Sequence, residues 1–409
     1  MPNYPSVSPA RARNARLAVA ATFFTNGALF ANILPRYPEI KDIFDLSNAA
    51  YGILITLFPI GAIVAALAAA TLIRRFGSAH VATVTMTITA VTFLLAGSAP
   101  NPVLFGVFLF IAGGTDAISD VGQNAHAMLV QKVYGRSIIN SFHAIWSIGA
   151  VTGGLMSAGA IALDLSMTAH LGLVAAVFSI VLMIARANML PHRDAETDED
   201  NIADRAEMTD RMSKVPPRTL LMLGALVLLG IAGSVIEEVG NSWASLYLGD
   251  SLGAAPSFAA FGFIALVGGQ FLGRILGDRQ VDRCGNREVA TLGGLIIAAG
   301  MGLALAFRSI PLTIVGFALA GYGSATLVPS AFDRADKLPG LRDGTGLTVI
   351  SWLMRIGFLG TPPLIGVIAD ATSLRIGLIV LPVAGLIVMI MALALPTRKK
   401  AEADTASRH

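Results

Sequence analysis

RDAETDEDNIADRAEMTDRMSK, residues 193–214, is the one long polar stretch in this chain. It is dense in charge and carries no aromatic residue, so it cannot gather enough apolar surface for a core. It reads as a flexible cytoplasmic linker with room for a short amphipathic helix. The chain on either side is very different. Over all 409 residues, 55% are hydrophobic and only 13% charged, and the mean hydropathy is +0.70. Soluble domains carry about 25% charged residues, and so little polar surface could not cover so much apolar material. A bilayer-spanning helix needs about 20 mostly apolar residues. The sequence offers six such segments before the polar stretch and six after it. The expected fold class is therefore an all-α membrane protein of twelve transmembrane helices. Its parts are a six-helix half over 1–188, a cytoplasmic linker over 189–217, a second six-helix half over 218–395 and a cytoplasmic tail over 396–409.

The same composition excludes several function classes. The net charge is only +3. The basic residues are dispersed rather than gathered into a stripe, which speaks against nucleic acid. The single cysteine, Cys284, rules out an internal disulfide framework and a multi-cysteine metal site. No P-loop, HExxH or nucleophile elbow stands in a cytoplasmic domain, so neither an enzyme nor a cofactor is expected. Arg11, Arg13 and Arg16 precede a long apolar segment without an A-x-A site, which reads as a first span and not a cleaved signal peptide.

Loop charge orients the spans. With the N-terminus in the cytoplasm, the outer loops hold only Arg36, Lys41, Arg308 and Arg375, and Arg355 lies within a span. The remaining basic residues fall on the cytoplasmic side. A multi-pass protein of the cell (inner) membrane with both termini cytoplasmic is expected.

The two halves share a local signature. LIRRFG (72–77) follows the second span and GDRQVDRCGNR (277–287) follows the eighth. Both place Arg-x-Gly at the corresponding turn, as Arg75–Gly77 and Arg283–Gly285. With GRILGDRQVDRCGNR (273–287), the sequence resembles the major facilitator superfamily over essentially its whole length. The first copy departs from the superfamily pattern, since Arg74 replaces the usual acid before Arg75. Three stretches are similar to the YbjJ-type and fucose-permease-like branch. They are SDVGQNAHAMLVQKVYGRSIINSFHAIWSIGAVTGG (119–154), EEVGNSWASLYLGD (237–250) and GTPPLIG (360–366). The resemblance implies two related halves around a central cavity lined by spans one, four, five, seven, ten and eleven. It also implies a proton-coupled carrier, such as a symporter, working by alternating access.

Charges within the hydrocarbon cost at least about 2.5–3.5 kcal/mol each on insertion scales, so they mark function unless they are paired. The fourth span carries Asp116, Asp120, Gln123 and Asn124 on one helical face. Two carboxylates one turn apart repel when both are ionised, a condition that favours proton exchange. Asp120 also matches the branch motif. Buried helix-to-helix hydrogen bonding is the plainer reading of this stripe. The seventh span carries Glu237, Asn241 and Ser245 at four-residue spacing, with Glu238 rotated about 100° away. Asp120, Glu237, Asp116 and Glu238 are the candidate proton-coupling acids. Asn26, Asn32, Gln123, Asn124, His143, Trp146, Asn241, Trp352 and Arg355 are the candidate solute contacts.

Arg355 keeps its charge at any useful pH. It needs a carboxylate, with Glu237 or Glu238 at hand, an anionic group of the solute or water, or else it snorkels to the interface. His143 has an unperturbed pKa near 6.5 and is read either as a proton shuttle or as a structural hydrogen-bonder. His126 is read as structural. Trp243 is a cavity wall or a headgroup-level anchor. Arg75, Arg274, Asp278, Asp282 and Arg283 form the expected cytoplasmic gate.

The expected partners are a small polar solute, protons and the lipid bilayer, with the chain acting as a monomer. A multidrug-type exporter of amphipathic compounds is the alternative within transport. A non-transporting membrane receptor is the alternative outside it.

Overall fold

The structure is a computed structural model that describes residues 8–135, 138–190, 216–336, 338, 340–341 and 345–395; the side chains of Asp278 and Asp336 lie outside this description. Among the described residues the chain is helical and holds no strand. Among these residues twelve helices are long and apolar enough to cross a membrane. In chain order, spans one to six are Pro9–Ile43, Asn48–Phe76, Ser78–Gly97, Pro102–Tyr134, Ile139–Ala162 and Met167–Asn188. Spans seven to twelve are Pro217–Ser251, Pro256–Gly277, Asn286–Phe307, Ile310–Ala335, Thr345–Ala371 and Leu374–Ala394. The contacts divide the chain into two units, Met1–Thr197 and Asp198–His409, each holding six spans. Most of the linker read over 189–217 and all of the tail over 396–409 lie outside the described residues.

Local chemistry sets where the spans begin and break. Ser47, Asn101 and Ser166 cap spans two, four and six by accepting from the backbone N–H of Ala50, Leu104 and Ala169. In span three the hydroxyls of Thr83, Thr85, Thr87, Thr89 and Thr92 each donate to the carbonyl four residues back, hiding polar groups within their own helix. Proline interrupts three spans. Its ring crowds the carbonyl four residues earlier and it lacks the N–H that would bond there. Pro38 therefore meets a 3-10 turn at Leu34–Arg36. Pro329 meets a break between the helices Ile310–Ser324 and Leu327–Asp336. Pro382 meets one between Leu374–Gly377 and Val380–Met391. Span one continues past its turn as the helix Tyr37–Ile43, further than hydropathy alone suggests.

Each half packs by the same scheme. In the first, spans two and four, one and five, three and four, three and six, and one and six are in contact. In the second, the pairs are eight and ten, seven and eleven, nine and ten, nine and twelve, and seven and twelve. The close approaches recur in register. A Cβ added at Gly61 or Gly113 would collide with the carbonyl of Phe110 or Phe58, and one at Gly269 or Gly321 with that of Ala318 or Leu266. Gly149 lies against Phe24 of span one, and Gly357 against Ile231 and Ser234 of span seven. The tight turns after spans two and eight use Gly77 at φ 83° and Gly285 at φ 97°, with ψ of 147° and 157°, backbone that side chains rarely adopt. The step from 61 to 269, 113 to 321, 149 to 357 and 77 to 285 is in every case 208 residues. The Arg-x-Gly signature belongs to a repeat that runs through the helix packing of both halves.

Candidate functional site

In the first half, three spans meet at Asn26. Its side chain is 6% exposed. Nδ2 donates to Oδ1 of Asp116 on span four at 2.9 Å, and Oδ1 accepts from the indole Nε1 of Trp146 on span five at 2.6 Å. The backbone permits this because Gly27 lies against the carbonyl of Trp146, bringing spans one and five close enough for short side chains to bridge. Asp120, one turn along span four, is exposed. Its Oδ1 accepts from Gln123 Nε2 at 2.9 Å and from Asn124 Nδ2 at 3.1 Å. The predicted stripe of Asp116, Asp120, Gln123 and Asn124 is thus present. Gln123 and Asn124, expected at the solute, turn their amide nitrogens to the neighbouring acid instead. His143 is exposed and sets its ring edge-on to Phe23 at 5.3 Å. His126 is buried beside the Ser78 hydroxyl at 3.1 Å, in keeping with a structural role.

A second polar cluster lies at the end of span one. Asn32 is fully buried. Its Nδ2 donates to the Ala28 carbonyl at 2.7 Å and its Oδ1 lies 2.9 Å from Nε2 of His170 on span six. With both ends of its amide engaged, Asn32 is a helix-to-helix tie and not the open solute contact expected from span one. Arg36, counted from sequence as an outer-loop charge, is 3% exposed. It forms a 2.7 Å ion pair with Glu39, and its Nη2 donates to the Leu165 carbonyl at 2.8 Å. A proline-flanked arginine at the end of a span is the only sequence sign of this cluster.

In the second half, the Ser242 hydroxyl donates to Glu238 Oε1 at 2.5 Å, so Glu238 is held on its own helix. Glu237 and Asn241 are one turn apart and half-buried, and among the described residues neither has a hydrogen-bond or ion-pair partner. The hydroxyl of Ser245, next on that stripe, is buried without a partner. Arg355 sits over the Trp352 ring at 4.8 Å and makes no ion pair with Glu237 or Glu238. The reason lies in the packing. Span eleven meets span seven through Ile350 and Met354, against Gly230, and Gly357, against Ser234. Arg355 is rotated about 100° from Met354 and points off that seam. Trp243 is fully buried, which removes its reading as a headgroup anchor.

Of the expected gate residues, Arg75 rests over the ring of Phe76 at 5.2 Å. Arg274, Asp282 and Arg283 lie along the helix Phe261–Cys284. The side chain of Asp278, on the same helix, lies outside the described residues. No group of three or more His, Cys, Asp or Glu that could hold a metal occurs among the described residues.

A sequence model of the Major Facilitator Superfamily matches residues 19–281 and again 222–409, together almost the whole chain. The chain belongs to the Major Facilitator Superfamily. This superfamily member is 27% identical over 382 residues to the uncharacterized transporter y4wD of Sinorhizobium fredii, covering 93% of this chain and 97% of that one. Its fold is similar to that of the nucleoside transporter NupG, with a TM-score of 0.70 at 13% identity, over 93% of this chain and 98% of that one. It is also similar to the superfamily transporter FucP in the outward conformation, with a TM-score of 0.61 at 18% identity, over 93% and 99% of the two chains. Membership makes it a multi-pass membrane transporter and not an enzyme.

Proposed function

We propose that this superfamily member is a proton-coupled secondary carrier that moves a small polar solute by alternating access. The solute is a neutral sugar-like molecule or a small organic anion. The observation that carries the reading is the contrast between two sets of polar residues, one in each half. Asn26 bonds both Asp116 and Trp146, whereas Glu237, Asn241 and Arg355 lack hydrogen-bond and ion-pair partners among the described residues. Polar groups inside a membrane are expensive unless something satisfies them. The open groups of the second half are therefore assigned to the solute. Asp116, Asp120, Glu237 and Glu238 are the coupling acids, and Trp146 and Trp352 are apolar walls beside the polar contacts. The charged helix end from Arg274 to Arg283, with Arg75, is assigned to closing the cytoplasmic side.

The three motifs of spans four and five, seven and eleven support a place on the YbjJ-type, fucose-permease-like branch. Loop charge supports the cell (inner) membrane with both termini cytoplasmic, and the chain is taken to act as a monomer. The test is a thermal-shift screen of the detergent-purified protein against sugars, polyols, nucleosides, organic anions and cationic drugs. Flux of each hit is then followed in proteoliposomes with and without a pH gradient. Accumulation of a polar hit driven by the gradient is expected. Hits confined to amphipathic cations, or flux indifferent to pH, would sink the proposal.

A further inference from the structure

The two acids of span four differ in what their hydrogen bonds connect. Both donors to Asp120, Gln123 and Asn124, stand on its own helix. The donor to Asp116 comes from another helix, and its orientation is fixed from a third. An indole N–H can only donate, so the atom of Asn26 that faces Trp146 must be the carbonyl oxygen, and the amide nitrogen is left for Asp116. Asn26 has little freedom to turn over, being 6% exposed.

We propose that Asn26 is a positioning residue that senses the proton on Asp116 and passes the change to Trp146. Asp116, and not Asp120, is then the acid whose protonation alters a contact between helices. This rests on the proton-coupled reading above. An ionised Asp116 accepts a charge-assisted bond from Asn26, roughly twice as strong as a neutral one. A proton on Asp116 reduces it to a neutral bond, or breaks it when the proton sits on the bonded oxygen. The tie from span four to span one then weakens, and the amide that orients the Trp146 ring is released. A proton on Asp120 changes only bonds within span four.

The charged and titratable groups around Asp116 are few. Asp120 shares its face. His143 of span five lies against Phe23 of span one, and Arg16 of span one bonds Tyr134 at the far end of span four. Span two carries Tyr51 at its start, and spans two and three carry Arg74, Arg75 and His80 near the turn that joins them.

The full-length protein in proteoliposomes is examined during acidification by two signals. One is the carboxylic-acid infrared band lost in D116N. The other is the pH-dependent part of tryptophan emission that is missing in W146F. The infrared band is expected to move in N26A. The Trp146 emission response is expected to persist in D120N and to be lost in D116N and N26A. A response that persists in D116N, or that D120N abolishes, overturns the proposal, and this pair decides without N26A should that variant not fold. Neither signal needs a transported solute. Gradient-driven flux without the Asp116-dependent response refutes this chain alone, whereas the response without any gradient-driven flux refutes the carrier reading instead.

Discussion

Arg36 and Leu165 are joined across the first half by a 2.8 Å hydrogen bond from the guanidinium Nη2 to the backbone carbonyl. The guanidinium is buried, so the bond is made in a medium where a lost partner is not replaced by water. R36A is expected to destabilise the protein by about 1.5–3 kcal/mol, the range for a hydrogen bond to a charged group. E39Q should cost less than about 1 kcal/mol, because that carboxylate is partly solvated. Thermal unfolding in detergent checks both, and equal effects would show that the ion pair, not the carbonyl bond, matters.

The glycines at the span two–four and span eight–ten crossings admit no Cβ. G113A and G321A should each cost about 1–3 kcal/mol through overpacking. G302A faces open space within a helix and should be neutral or stabilising by up to about 1 kcal/mol. Melting temperatures of the three proteins decide whether helix approach or helix propensity governs these sites.

D116N fixes the side chain in an uncharged form. Gradient-driven accumulation should fall at least about tenfold, the factor that corresponds to 1.4 kcal/mol of coupling. Exchange of solute at equal pH should survive. In the parent protein, acidification should weaken the tie between Asn26 and Asp116, and in D116N it should change nothing there. Loss of exchange along with accumulation would place Asp116 among the solute contacts instead.

Arg355 is stacked on Trp352 and free of Glu237 and Glu238. If the solute is an anion, a hit at 100 times its Kd should stabilise the parent by about 2.7 kcal/mol. R355A should lose that shift and R355K should keep part of it, since lysine retains the charge without the fork. A sugar or polyol that stabilises parent and R355A alike would make Arg355 structural.

Much of the architecture is legible in the sequence because hydrocarbon thickness imposes a length that hydropathy reveals directly. The twelve spans follow from this, and so does the repeat once Arg75–Gly77 and Arg283–Gly285 are noticed. The same offset applied to Gly61, Gly113 and Gly149 would have located the helix crossings. The stripe of acids and amides on span four follows from helical spacing. Which atom each amide bonds does not, because the bond from Trp146 to Asn26 joins residues far apart in sequence. The cluster of Arg36, Asn32 and His170 was hidden for a related reason. A charge next to Pro35 looks like a loop residue until the carbonyl of Leu165 folds over it. The pairing of Arg355 with Glu237 or Glu238 failed on the rotation of one helix, which spacing along a single span cannot supply.

The 208-residue offset also shows what the second half lacks. It carries Asn26, Asp116 and Trp146 onto Ser234, Ser324 and Met354. Both serine hydroxyls donate to carbonyls of their own helices, those of Gly230 and Gly321, and none of the three side chains gains or loses a proton near neutral pH. The halves share a skeleton but only one has an acid at this position. A chimera made of two first halves would carry the proton-sensing chain twice, and one made of two second halves would carry none. The Asn26–Asp116–Trp146 chain is therefore written in the difference between the copies, while the helix framework is written in their likeness.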